Sequence, residues 1–113
     1  MYKTLKEFTR DGFDVTVEVC AEDMALQDCY DDSCYDIQDL VRKVDYGVLD
    51  WFQVRVRAHV AGVELGRAQL GQCLYADCAD VLCDGVAEDL IQEALEIARE
   101  TVIKLKQDLP LAA

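Results

Sequence analysis

Val48–Leu70 reads VLDWFQVRVRAHVAGVELGRAQL, and its alternation is the firmest structural signal in the chain. Phe52, Val54, Val56, Ala58 and Val60 fall on one side, and Trp51, Gln53, Arg55, Arg57 and His59 on the other. A period of two marks a half-buried strand, here Val48–Val60. Ala61-Gly62 predicts a tight turn into a second strand over Val63–Leu70. The small residues Gly66 and Ala68 let a helix approach that strand closely.

Toward the N-terminus, Tyr2–Phe8 and Phe13–Cys20 predict a hairpin around Arg10-Asp11-Gly12. Its second strand alternates Phe13, Val15, Val17 and Val19 against Asp14, Thr16 and Glu18. Residues 21–33 have no clean period and read as loop with a turn of helix, with Asp32 or Ser33 placed to cap the next element. Ile37, Leu40, Val41 and Val44 recur at i, i+3, i+4, i+7, an amphipathic helix ended by Gly47. Toward the C-terminus, Gly71–Gly85 is a connection bearing cysteine and aspartate. Val86–Asp108 is a helix with Leu90, Ile91, Ala94, Ile97, Ala98, Val102 and Leu105 as its buried stripe and Pro110 beyond its end. The order ββαββα predicts an α+β fold in one domain over residues 1–113: a four-stranded antiparallel sheet with both helices packed on one face.

Charge narrows the function classes. The 113 residues carry 23 acids against 11 bases, a net charge of −12. Such a chain repels nucleic-acid phosphates and anionic lipids, which disfavours direct binding to either. Residues 11–41 hold ten acids and residues 68–98 hold seven, with no Lys or Arg in either stretch. That segregation builds an electrostatic face. The charged N-terminus MYKTLKEFTRDG lacks a signal-peptide core, and no apolar run approaches membrane-spanning length, so a cytoplasmic protein is expected.

The six cysteines are Cys20, Cys29, Cys34, Cys73, Cys78 and Cys83. The plainest reading makes them small apolar residues kept reduced. The spacings of Cys29/Cys34, Cys73/Cys78 and Cys78/Cys83 also allow a metal module of Cys73, Cys78, Cys83 and either Cys29 or Cys34. No C-x-x-C knuckle occurs, and no metal or other cofactor is expected. Enzyme readings fare poorly: the single serine, Ser33, and single histidine, His59, lie in different elements without a surrounding motif. GVELGRAQLG matches neither phosphate-binding glycine pattern. In DCYDDSCYDIQD, Asp28–Asp39, a calcium loop begun at Asp28 places Tyr30 at position 3 and Ser33 at position 6, where an acid and a glycine are needed.

What remains is the acidic surface as an interaction device. Carboxylates four residues apart on a helix lie about 6 Å apart along its axis, close to the spacing of phosphates along a DNA strand. Asp89, Glu93, Glu96 and Glu100 can imitate a phosphate row, with the Asp23–Asp39 segment supplying a second. Tyr30, Tyr35 and Tyr75 among the acids strengthen the case, because aromatics are enriched where partners bind.

ELGRAQLGQCLYADCADVL with VAEDLIQEALEIARE after it resembles small open reading frames carried by phages, plasmids and prophages, over about residues 63–100. Small acidic proteins of this kind are similar to anti-CRISPR proteins, several of which act as DNA mimics on Cascade-type complexes. The resemblance implies a non-enzymatic inhibitor, acting in the bacterial host cell on the nucleic-acid-binding surface of a CRISPR effector, type I Cascade first. Anti-CRISPR proteins share no common motif, so the resemblance transfers no functional residue. The acids expected to meet the partner are Asp23, Asp28, Asp31, Asp32, Asp36 and Asp39, with Glu93, Glu96 and Glu100 second, on a monomer or homodimer. The alternatives are the cysteine-ligated metal module and an acidic interaction or dimerisation domain for another basic partner. A structural dimer is a further option: if only one sheet face is covered by helices, Trp51, Arg55, Arg57 and His59 on the outer face remain for a partner.

Overall fold

The computed structural model describes residues 1–30 and 36–108. Four strands, β1 (Lys3–Arg10), β2 (Phe13–Ala21), β3 (Asp50–Val60) and β4 (Val63–Tyr75), form one antiparallel sheet in chain order. Two helices, α1 (Ile37–Asp45) and α2 (Val86–Asp108), complete the α+β fold expected from the sequence. Short 3-10 turns at Leu26–Asp28 and Cys78–Leu82 precede α1 and α2 respectively.

Both hairpins close through two residues at positive φ, Asp11-Gly12 at 55° and 84° and Ala61-Gly62 at 52° and 81°. Consecutive left-handed residues match the right-handed twist of the flanking strands, which is why two-residue loops suffice. Across β2 and β3, Val15, Val17 and Val19 stand beside Ala58, Val56 and Val54, and all six are buried against α2 in the main core. Gly66 is what lets α2 come so near: a Cβ there would lie 2.1 Å from the Ala94 carbonyl oxygen and 2.7 Å from the Ala98 nitrogen.

The structure departs from the sequence expectation in four places. β4 does not stop at Leu70 but continues to Tyr75 through a bulge, with Gln72 at φ 59°. The Gln72 N–H, turned out of the ladder, donates to the Glu22 carboxylate at 2.8 Å, so a partner fifty residues away stabilises the irregularity. The stripe of α2 centres on the fully buried Leu95, whereas Ile97 and Leu105 are 37% and 43% exposed. Ile97 sits at the flank of the stripe, and Leu105 lies beyond Ala98, the last buried residue of the helix. The N-cap of α1 is Asp36, whose carboxylate accepts the Asp39 N–H at 3.2 Å; Asp32 and Ser33, the expected caps, lie outside the described residues. Finally, α2 packs on β2, β3 and β4, while α1 packs chiefly on the Leu26–Asp28 turn. No α1 residue belongs to the main core; Ile37 and Leu26 are buried apart from it.

Candidate interaction surface

The acids of α2 stand where amphipathicity puts them. Ala87, Leu90, Ile91, Ala94, Leu95 and Ala98 turn toward the sheet, so the opposite side of the helix must be polar. Asp89, Glu93, Glu96 and Glu100 are exposed there. Successive members are three or four residues apart, about 4.5–6 Å of axial rise. None of the four forms an ion pair with a described residue.

The cations are largely spent elsewhere. Arg10 reaches Glu88 at 2.8 Å and Arg99 reaches Asp11 at 3.1 Å, tying the first hairpin to α2. The Arg10 hydrogen bond, helped by Gln92, holds the Glu88 carboxyl below its usual range. Lys43 meets Asp39 at 3.0 Å one turn away on α1, and Arg67 meets Glu64 at 2.9 Å. Arg55 and Arg57 both donate from Nε to Glu18 Oε1, at 2.5 and 2.7 Å.

That last cluster dominates the sheet face opposite α2. Glu18 is only 4% exposed, roofed by the two guanidinium groups, and Arg55 lies over the Tyr2 ring at 3.6 Å from its centroid. Burial works against ionisation of Glu18, but the hydrogen bonds from Arg55 and Arg57 outweigh it and hold the carboxyl below the usual range. His59 Nε2 sits 3.0 Å from the Thr16 hydroxyl, its only hydrogen-bond partner among the described residues. Trp51, Arg55, Arg57 and His59 are thus half-buried and engaged with neighbours in the sheet and the β2–α1 connection.

The first group of expected acids divides. Asp23, before the Leu26–Asp28 turn, and Asp28, its last residue, are exposed with no ion pair among the described residues. Asp36 and Asp39 serve α1, one as its cap and the other paired to Lys43. Asp31 and Asp32 lie outside the described residues. Asp23, Asp28, Asp36 and Asp39 thus lie on other parts of the chain than the α2 row. Asp45, which the sequence reading does not single out, ends α1 and lines a cleft with Val41, four residues before it.

The cysteines are not one class. Cys73 is buried, Cys20, Cys29 and Cys78 half-buried, and Cys83 exposed, all as free thiols; Cys34 lies outside the described residues. Burial first, then nearby carboxylates, pushes the Cys29, Cys73 and Cys78 thiols up. They stay protonated near neutrality, where a nucleophile or ligand must lose its proton. The cysteines of the alternative metal module, Cys73, Cys78 and Cys83 with Cys29, are not gathered: among the described residues the one group with converging ligand atoms is Asp50, Asp77 and Cys78. Both aspartates there have structural employment, Asp50 accepting the Cys78 N–H at 2.8 Å and Asp77 the Ala79 N–H at 2.9 Å. They start the Cys78–Leu82 turn as a cap does. No helix among the described residues is long and apolar enough to cross a membrane. No family model matches this chain, and neither does any curated protein or solved structure.

Proposed function

We propose that this protein is a non-enzymatic inhibitor that sets its acidic surface into the nucleic-acid-binding groove of a basic partner. The observation that carries the reading is the α2 row. Asp89, Glu93, Glu96 and Glu100 are exposed along one helix without a counter-ion among the described residues, while Arg10, Arg55, Arg57, Arg67 and Arg99 hold Glu88, Glu18, Glu64 and Asp11 instead. A row of fixed negative charge at helical spacing offers a lysine- and arginine-lined groove what a phosphate backbone offers it. Such association is steered and salt-sensitive. Resemblance to small acidic phage and plasmid proteins makes a CRISPR effector of the type I Cascade kind the first partner to test.

The test is a DNA-binding assay with purified type I effector complexes, titrated with this protein at two salt concentrations. The expected result is loss of target binding that weakens as salt rises. The variant Glu93→Lys/Glu96→Lys/Glu100→Lys should lose the effect while keeping the wild-type circular dichroism spectrum. Inhibition by that variant equal to wild type overturns the reading.

A further inference from the structure

α1, residues 22–27 and Trp51 line a cleft of about 330 Å³. Val41, Val44 and Asp45 of α1 line it together with Glu22, Asp23, Leu26 and Trp51. No lysine or arginine lines it. The carboxylates of Asp23 and Asp45 have no ion pair or hydrogen bond among the described residues. Trp51 is held in place: its indole N–H donates to the Met24 carbonyl at 2.8 Å, and its own carbonyl accepts the Glu22 N–H at 3.3 Å.

Resting on the reading that the partner is basic, we propose that this cleft receives one arginine side chain of that partner. Three parts of an arginine find three complements. The guanidinium plane stacks on the indole, the strongest of the aromatic faces for a cation, beside the Tyr30 ring that lies tilted 6.0 Å from it between centroids. Its methylenes lie against Val41, Val44 and Leu26, as long cationic side chains do along apolar surface. Its outward N–H groups meet the carboxylates of Asp23 and Asp45 in charge-assisted hydrogen bonds. An anionic side chain is rejected by the same two carboxylates. The cleft thus supplies a local anchor beside the longer-range attraction of α2.

Trp51 is the only tryptophan, so intrinsic fluorescence of the full chain reads this cleft directly. The probe is the peptide acetyl-Gly-Gly-Arg-Gly-Gly-amide, with its citrulline counterpart as the uncharged control. The arginine peptide should produce a saturable change in Trp51 emission. The citrulline peptide should bind roughly tenfold more weakly, as should the arginine peptide to the variant Asp23→Asn/Asp45→Asn, whose circular dichroism spectrum should match wild type. The variant Glu93→Gln/Glu96→Gln/Glu100→Gln should bind the peptide as wild type does. Absence of a saturable response, equal binding of the two peptides, or a double variant that titrates like wild type overturns the proposal. A saturable response alongside uninhibited effectors retains the cleft and removes the effector reading. A silent Trp51 alongside inhibited effectors does the reverse.

Discussion

Both helices are amphipathic, yet they hold their places by different means. α2 runs 23 residues and fits its backbone into the space a glycine leaves on β4, so its apolar face becomes half of the main core. α1 runs nine residues, is capped by Asp36, and buries Ile37 apart from that core. An amphipathic pattern therefore says that a face will be covered, without saying by what. The helix that closes the core presents its acids from a rigid support. The other makes one wall of a cleft and packs chiefly on the Leu26–Asp28 turn.

The seating of α2 is most vulnerable at Gly66. Gly66→Ala should cost about 3 kcal/mol or more, because the new methyl meets backbone of α2 that cannot yield without shifting the helix. Denaturant titration measures it. A loss of stability under about 1 kcal/mol would mean that α2 is not seated as described.

The sheet's other face differs again, since its buried charge needs no helix to cover it. Glu18→Ala should cost about 2–3 kcal/mol by leaving Arg55 and Arg57 crowded without their shared carboxylate. The carboxyl is held low in the folded protein, so its contribution is fully present above the ordinary glutamate range of about 4.3 and is lost as pH falls through the lowered value. Wild type should therefore lose more stability than Glu18→Ala between about pH 5 and pH 2, measured by thermal unfolding across that range. Parallel acid profiles would contradict the assignment.

The smallest effect is expected at α1. Asp36→Ala removes the accepting carboxylate from the helix start and should cost about 1 kcal/mol. Because α1 lies apart from the main core, the loss should appear in hydrogen exchange as faster local opening of Ile37–Asp45, with the amides of α2 little changed. Uniform acceleration across both helices would show that they unfold together.

How much of the molecule was legible depended on how far away the deciding partner lay. The alternation of Phe52, Val54, Val56 and Ala58 against Gln53, Arg55, Arg57 and His59 was readable because each strand carries its own pattern. These four are buried, whereas Val60, read on the same side, is exposed at the end of the strand beside the turn. Gly66 and Ala68 announced a close helix, and the helix is there. The continuation of β4 was not readable, because Gly71 punctuates a sequence and only Glu22 makes the bulge behind it tolerable. Leu95 was missed for Ile97 because the rotation of α2 is set by the sheet beneath it. The acidic row on α2 was visible from spacing alone. The cleft was not, since Trp51, Val41 and Asp23 come from three segments that meet only when folded.

The sheet's neighbours in space are its neighbours in sequence, which has a consequence for how the chain reaches this state. Both hairpins close over two residues and can form early from local contacts, whereas the step joining β2 to β3 must first bring together the ends of the segment that carries α1. Loop-closure entropy rises only slowly with length, by about 0.6 kcal/mol per doubling. Evolution can thus lengthen, shorten or rewrite the α1 segment with little effect on the assembly of the strands. The strand order that carries the acidic helix can therefore stay the same while the α1 segment varies.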